Sequence, residues 1–232
     1  MDVLLAHQAL AERTRLELVQ TLLIRDLSPG EVAEQWDLST SLVAHHVKCL
    51  VDAGLIRRGR SEHDARRSYL SLRRDDPQVL AMVAVGTPAM VAPPRVVFVC
   101  TRNSARSKLA AACWRQISSI PAVDAGTDPA TAPHPWAVAT AAERGLVLDL
   151  EMHDVDTTVN QGDLVIAVCD HAHEQLTSQP DRFHWSVPDP VAAPAARAAF
   201  VSACDNIQTR VHRLHSAIRS TRSPSFPREV ST

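Results

Sequence analysis

The stretch VVFVCTRNSARSKLAAACW, Val96 to Trp114, decides how the second half of the chain folds. Four apolar residues, three of them β-branched, lead to Cys100, and Arg106 follows six positions later. Arg95–Val99 reads as a buried parallel strand and Ser104–Gln116 as a helix. A loop joining the carboxyl end of a strand to a helix start turns successive backbone N–H groups towards one point, where a tetrahedral oxyanion fits. Cys-x5-Arg alone is a weak pattern, because five scattered cysteines can meet an arginine at that spacing by chance. The strand–loop–helix context gives it weight. A guanidinium at Arg106 can clamp two oxygens in a fork. The same field favours thiolate over thiol, so that Cys100 is a candidate nucleophile beneath the bound anion. Thr101, Arg102, Asn103, Ser104, Ala105 and Ser107 complete the candidate oxyanion loop, with Asn103 and Ser107 suited to hydrogen-bond the sulfur and shape the turn.

A leaving group needs a proton donor. HWSVPDPVAA, His184 to Ala193, supplies Asp189 before a stiffening proline, after another short apolar run. An Asp-Pro dipeptide is ordinarily a turn, but beside Cys100 it is a candidate general acid. Cys169 closes the apolar run LVIAVC and is expected at a strand's carboxyl end, on the same side as Cys100. Cys113 and Cys204 lie on helical stretches and read as core.

Working outward, the chain has 232 residues, 45% of them hydrophobic, with a net charge of -2. That is enough for two folded domains and gives no global attraction to nucleic acid, so any basic surface must be local. Five scattered cysteines without a CxxC pair argue against a disulfide framework or zinc site and for a reducing compartment. With no 18-residue apolar run and no leader-like start, the chain is expected to be cytoplasmic, with no membrane partner. GTPAMVAPPR, Gly86 to Arg95, holds three prolines and reads as a linker. The expected divisions are a first domain over 1–85, a linker over 86–94, a second domain over 95–220 and a flexible tail over 221–232.

The first domain reads as four helices followed by a hairpin and one more short helix. Leu16, Val19, Leu22 and Leu23 form a helical stripe within Arg13–Arg25. Ser28-Pro29-Gly30-Glu31 is a capping sequence for a helix over Pro29–Trp36. Ser39 or Thr40 caps the next, which runs to Asp52 and is expected to bury Val43, Val47, Leu50 and Val51, with Gly54 in the left-handed terminating position. Two helices joined by so short a turn suit major-groove reading, with Thr40, Ser41, Ala44, His45 and Lys48 facing DNA. Strands follow over Leu55–Arg60 and Arg66–Leu72, and a short helix from Asp76-Pro77 to Val85. Segment 55–74 carries seven arginines against Glu62 and Asp64, a local balance of +5. Arg58, Arg60, Arg66 and Arg67 on this ribbon are candidate phosphate contacts. Cys49 reads as a packed core thiol, and His45 and His46 as DNA-facing or packed rather than metal ligands.

LAERTRLELVQTLL, LSPGEVAEQWDLSTSLVAHHVKCLVDAGLIRRGR and RRSYLSL together resemble ArsR-type winged helices over about residues 5–75. The resemblance implies a DNA-binding repressor that dimerises through its first helix and the short helix after the hairpin. The cysteine pair of arsenite-sensing members is absent from LLIRDLS, Leu22 to Ser28. The Cys100 and Asp189 motifs, with DAGTDPA (Asp124–Ala130), HPWAV (His134–Val138) and LVIAVCDHA (Leu164–Ala172), resemble the low-molecular-weight tyrosine phosphatase superfamily and its arsenate reductase branch, over about residues 95–218. This implies a four-stranded parallel sheet with strands near 95–100, 121–125, 163–168 and 183–187. It also implies Cys100 as nucleophile, Arg106 as clamp and Asp189 as general acid.

Val191-Ala192-Ala193 stand where tyrosine phosphatases of this kind carry ring-stacking tyrosines, which suits a small inorganic anion. Cys169 aligns with the second redox cysteine of thioredoxin-coupled reductases, while the third would fall at Leu176 and is missing. The favoured expectation is therefore a DNA-binding domain fused to an arsenate reductase. It would hold no tightly bound cofactor or metal and would use an external thiol reductant: thioredoxin, glutaredoxin or a small thiol. A tyrosine phosphatase and a non-catalytic oxyanion-sensing repressor are the alternatives.

Overall fold

Two hydrophobic cores form in the computed structural model, which describes residues 2–83, 89–179 and 181–219. The end of the helix expected to reach Val85, residues 86–88 of the expected linker and the expected tail over 221–232 lie outside the described residues.

The first core is built by α1 (Val3–Leu10), α2 (Arg13–Thr21), α3 (Pro29–Trp36), α4 (Thr40–Asp52), the antiparallel pair β1 (Ile56–Arg60) and β2 (Ser68–Leu72), and α5 (Pro77–Val83). Local chemistry sets the boundaries. Ser28 and Glu31 form a reciprocal capping box with Pro29 in the first turn of α3, and Asp37 closes that helix in the left-handed region. Ser39 caps α4, and Gly54 follows it at φ 71°.

α4 turns a different stripe inward from the one expected. Val43, His46, Val47 and Leu50 are buried and Val51 is 40% exposed. Positions 43, 46, 47 and 50 keep strict helical spacing, so His46 takes the place that hydrophobicity alone had assigned to Val51. Cys49 is not a packed core thiol. It lies at the edge of the same helix, partly exposed, with its sulfur 3.8 Å from His45 Nε2.

The second core surrounds a parallel sheet. β3 (Val96–Cys100) leads into α6 (Arg106–Ile117), followed by β4 (Ala122–Gly126), α7 (Pro135–Glu143), α8 (Val155–Thr158), β5 (Leu164–Ala167), α9 (Asp170–Gln175), β6 (Phe183–His184) and α10 (Ala196–Arg219). Strand order is β4-β3-β5-β6, all parallel. β3 is buried throughout, as expected of a central parallel strand covered on both faces. Among the described residues no helix is long and apolar enough to cross a membrane.

The two cores are bolted together. Asp26, fully buried, accepts hydrogen bonds from Arg74 (3.2 Å), Arg210 (2.7 Å) and the Ser186 amide (2.8 Å). Its own N–H donates to His184 O. Trp185 Nε1 donates to Ile24 O at 2.7 Å, and Tyr69 Oη to Glu174 at 3.0 Å. Met90, in the expected linker, packs against both cores, and its N–H donates to Ala217 O.

Candidate active site

The loop from Cys100 to Arg106 takes its shape from where its carbonyls point. Cys100, Thr101, Arg102 and Ser104 accept hydrogen bonds from the N–H groups of Thr127, Asp128, Ala130 and His134. In a trans peptide the following N–H points opposite to the C=O, so the amides of Thr101, Arg102, Asn103 and Ala105 turn to the inner side of the loop. α6 begins there with no side chain capping its first turn, which leaves its amino end facing the same hollow.

Beneath the loop lies a polar floor. Asn103, in the left-handed region at φ 50°, donates from Nδ2 to Asp124 (2.8 Å) and Ser107 Oγ (3.1 Å) and accepts from the His153 amide (2.8 Å). Lys108 is wholly buried and donates to the same Asp124 oxygen (2.8 Å) and to Glu151 O (2.5 Å). Ser107 Oγ accepts from Asn103 Nδ2 and stands 3.1 Å from Cys100 Sγ, where its hydroxyl is free to donate to a thiolate. A methyl group on Gly126 would come within 2.8 Å of Thr101 O and 2.9 Å of Asn103, so the turn at the end of β4 can only be glycine while the loop keeps this path.

Arg106 is buried at the rim. Its guanidinium donates to Val187 O (3.0 Å) and stands 3.4 Å from an Asp189 oxygen and 3.5 Å from a Glu62 oxygen. Burial works against its charge, but the sulfurs of Cys169 and Cys100 and the carboxylates of Asp189 and Glu62 raise its pKa above the ordinary arginine value. Asp189 lies on the loop after β6, and its Oδ1 accepts the Val191 amide. Cys169 caps α9, where its sulfur accepts the Ala172 amide at 3.4 Å and lies 3.6 Å from Thr101 Oγ1. Burial pushes its thiol pKa up, and Cys100 adds to the rise, against the pull of Arg106. Arg102, half-exposed, lines the cavity and pairs with Asp128.

These groups surround a cavity of about 480 Å³ whose walls include Thr101, Arg106, Cys169, Asp170, Asp189 and Ala192. No Phe, Tyr or Trp lines it. Two further lining residues, Glu62 and His63, come from the other domain, at the tip between β1 and β2. Neither residue carries a special mark in the sequence. Glu62 counted only as one of two acids on a basic ribbon, and nothing local announces a contact more than one hundred positions away.

The expected nucleic-acid face remains open. Thr40, Ser41, Ala44, His45 and Lys48 are all exposed on α4, as are Arg58, Arg60, Arg66 and Arg67 on the ribbon. Some of that charge is already engaged: Arg66 and Arg67 pair with Asp64, Lys48 with Asp52, and Arg58 donates to Ser68. Arg74 does not belong to the ribbon's basic surface. It is buried against Asp26 and Leu22 O between the domains.

A family model described as low molecular weight phosphotyrosine protein phosphatase matches residues 95–223, and one described as bacterial regulatory protein, arsR family, matches residues 12–58. The chain is 36% identical over 70 residues to the uncharacterized HTH-type transcriptional regulator YceK of Bacillus subtilis, covering 29% of this chain and 67% of that protein. Among solved structures it is similar to the YwlE arginine phosphatase from Geobacillus stearothermophilus, with 20% identity and a TM-score of 0.47, over 55% of this chain and 94% of that one. It is also similar to an arsenate reductase from Archaeoglobus fulgidus, with 26% identity and a TM-score of 0.40, over 50% of this chain and 98% of that one.

Proposed function

The chain belongs to the low molecular weight phosphotyrosine protein phosphatase family and carries an arsR-family helix-turn-helix ahead of that domain, and from this premise we propose that it is a DNA-binding regulator whose second domain reduces arsenate. The observation that carries the choice of reaction is Cys169, a second thiol on the cavity wall and near enough to Cys100 for the two sulfurs to act on each other. Hydrolysis of a phosphate ester needs no second thiol, whereas reduction does.

In this reading the inward amides and Arg106 hold arsenate. The Cys100 thiolate attacks arsenic, and Asp189 protonates the departing oxygen, which leaves as water. Cys169 then attacks Cys100 Sγ, its thiol proton passing to an oxygen of the departing arsenic. The sulfur–arsenic bond breaks with its electron pair going to arsenic, which leaves as arsenite, and a Cys100–Cys169 disulfide remains. An external thiol reductant restores the pair, since Leu176 stands where a third cysteine would serve. No Phe, Tyr or Trp lines the cavity, and its two imidazole rings, His63 and His171, stack on each other, which suits a small anion better than a phosphorylated ring.

The regulator half is assigned double-stranded DNA, with α4 in the major groove and Arg58, Arg60, Arg66 and Arg67 along the phosphates. It is assigned a homodimer through α1, whose Val3, Leu4 and Leu5 are exposed, and α5.

The test is steady-state turnover of arsenate and of an aryl phosphate by the wild type, Cys100→Ser and Cys169→Ser, with a thiol reductant present. Arsenate turnover lost in Cys100→Ser and strongly reduced in Cys169→Ser supports reduction. Efficient aryl phosphate hydrolysis indifferent to Cys169→Ser would assign a phosphatase instead.

A further inference from the structure

The tip of the β1–β2 ribbon is seated in the enzyme cavity, and its seat is specific. Ser61 Oγ donates to Glu174 (2.7 Å) and accepts the amides of His63 and Asp64, which stiffens the turn. The Glu62 amide donates to Asp170 at 2.9 Å. The His63 ring stacks on His171, with centroids 3.7 Å apart and planes 8° from parallel. The Glu62 carboxylate meanwhile accepts the Asp189 amide through both oxygens (3.1 and 3.0 Å) and stands 3.5 Å from the Arg106 guanidinium.

A carboxylate on that guanidinium occupies ground an oxyanion's outer oxygens would need. It is also poorly rewarded there. Asp170 and Asp189 lie close by, and burial together with their charge raises the Glu62 pKa. An incoming tetrahedral dianion would meet Glu62 as a rival for Arg106 and as a like charge.

From this juxtaposition we infer that Glu62 is a tethered competitor for the oxyanion, so that inorganic arsenate or phosphate entering the cavity releases the ribbon tip. The inference rests on the oxyanion-site reading above and adds its regulation. Pocket occupancy becomes linked to the position of the element that flanks DNA in a winged helix, and the linkage is reciprocal: whatever holds the tip down weakens anion binding by the same factor that the anion weakens the tip's seat.

The probe is inorganic phosphate, titrated by calorimetry into the full-length wild type, Glu62→Gln and His63→Ala at pH 7.5, with hydrogen exchange of the Ser61–Asp64 amides followed in parallel. Couplings of this kind shift affinities by about 5- to 150-fold. Both variants should bind phosphate about tenfold more tightly than the wild type, and phosphate should accelerate exchange at the tip. His63→Ala separates release from simple electrostatics, because it loosens the seat without removing a negative charge. A gain in Glu62→Gln alone, equal affinity in all three proteins, or phosphate binding with unchanged exchange at the tip would each overturn the inference while leaving the oxyanion site standing. Failure of all three proteins to bind phosphate would remove the site and the inference together.

Discussion

Replacing Asp26 by asparagine should separate the two domains energetically. The substitution keeps volume and shape and removes one charge from a fully buried position. Arg74 and Arg210, whose side chains are 6% and 1% exposed, would then face each other with no carboxylate between them. Even with Asp26 present, burial and Arg210 bring the Arg74 pKa down to about 9. Breaking a buried ion pair by removing one partner costs about 3–5 kcal/mol. For a chain of this size that corresponds to a fall in Tm of roughly 6–20 °C. Trp185, wholly buried and bonded to Ile24 O across the interface, gives a fluorescence signal for urea and thermal unfolding. Adding Arg74→Met to Asp26→Asn should recover part of the loss, since one orphaned cation is removed. A loss below about 1 kcal/mol, the size of an ordinary surface substitution, would refute the claim that this buried triad holds the domains together.

Gly126→Ala should push the oxyanion loop off its path, costing about 1–3 kcal/mol in urea unfolding and abolishing phosphate binding by calorimetry; wild-type affinity would contradict the close approach of β4 and the loop. The domain interface should weaken in acid. Burial lowers the His173 pKa, so the folded state binds fewer protons than the unfolded state, and stability should drop as pH falls below about 6.5. Glu31 is half-buried, and its hydrogen bonds with His173 and the Ser28 amide hold its pKa down to about 2 against the cost of burial, so it extends the same trend as pH falls from the ordinary carboxylate value towards 2. Urea midpoints at pH 7.5 and 5.5 should therefore differ more in the wild type than in His173→Gln, and equal differences would dismiss the histidine. On the ribbon, Arg60→Ala should weaken binding to any duplex in fluorescence anisotropy and reduce the slope of log affinity against log salt by about 1; an unchanged slope would place Arg60 off the phosphates.

The parts of this molecule legible in its sequence are those fixed by near neighbours. The capping box at Ser28, the span of α3, the end of α4 at Gly54 and the strand–loop–helix around Cys100 each depend on residues a few positions apart. Hydrophobic pattern was less faithful where a polar residue took a core position, as His46 did in place of Val51. The contacts that join the domains were not legible. Asp26, Arg74 and Arg210 look like solvated surface charge until the fold brings them together. Glu62 and His63 sit on a ribbon whose arginines draw attention to DNA, and only tertiary packing carries its tip into the cavity beside Arg106. The polar floor of Asp124 and Lys108 was hidden likewise, since a lysine in an amphipathic helix is ordinarily exposed.

The chemistry assigned to the second domain is tested most directly by trapping its product on the protein. Fully reduced chain, freed of reductant, is mixed with arsenate, alkylated, digested and weighed by mass spectrometry. The account predicts one Cys100–Cys169 disulfide for each arsenite released, and neither product from Cys100→Ser. Arsenite formed with Cys169 still free to alkylate, or arsenate left unreduced by a chain that hydrolyses aryl phosphate, would contradict it.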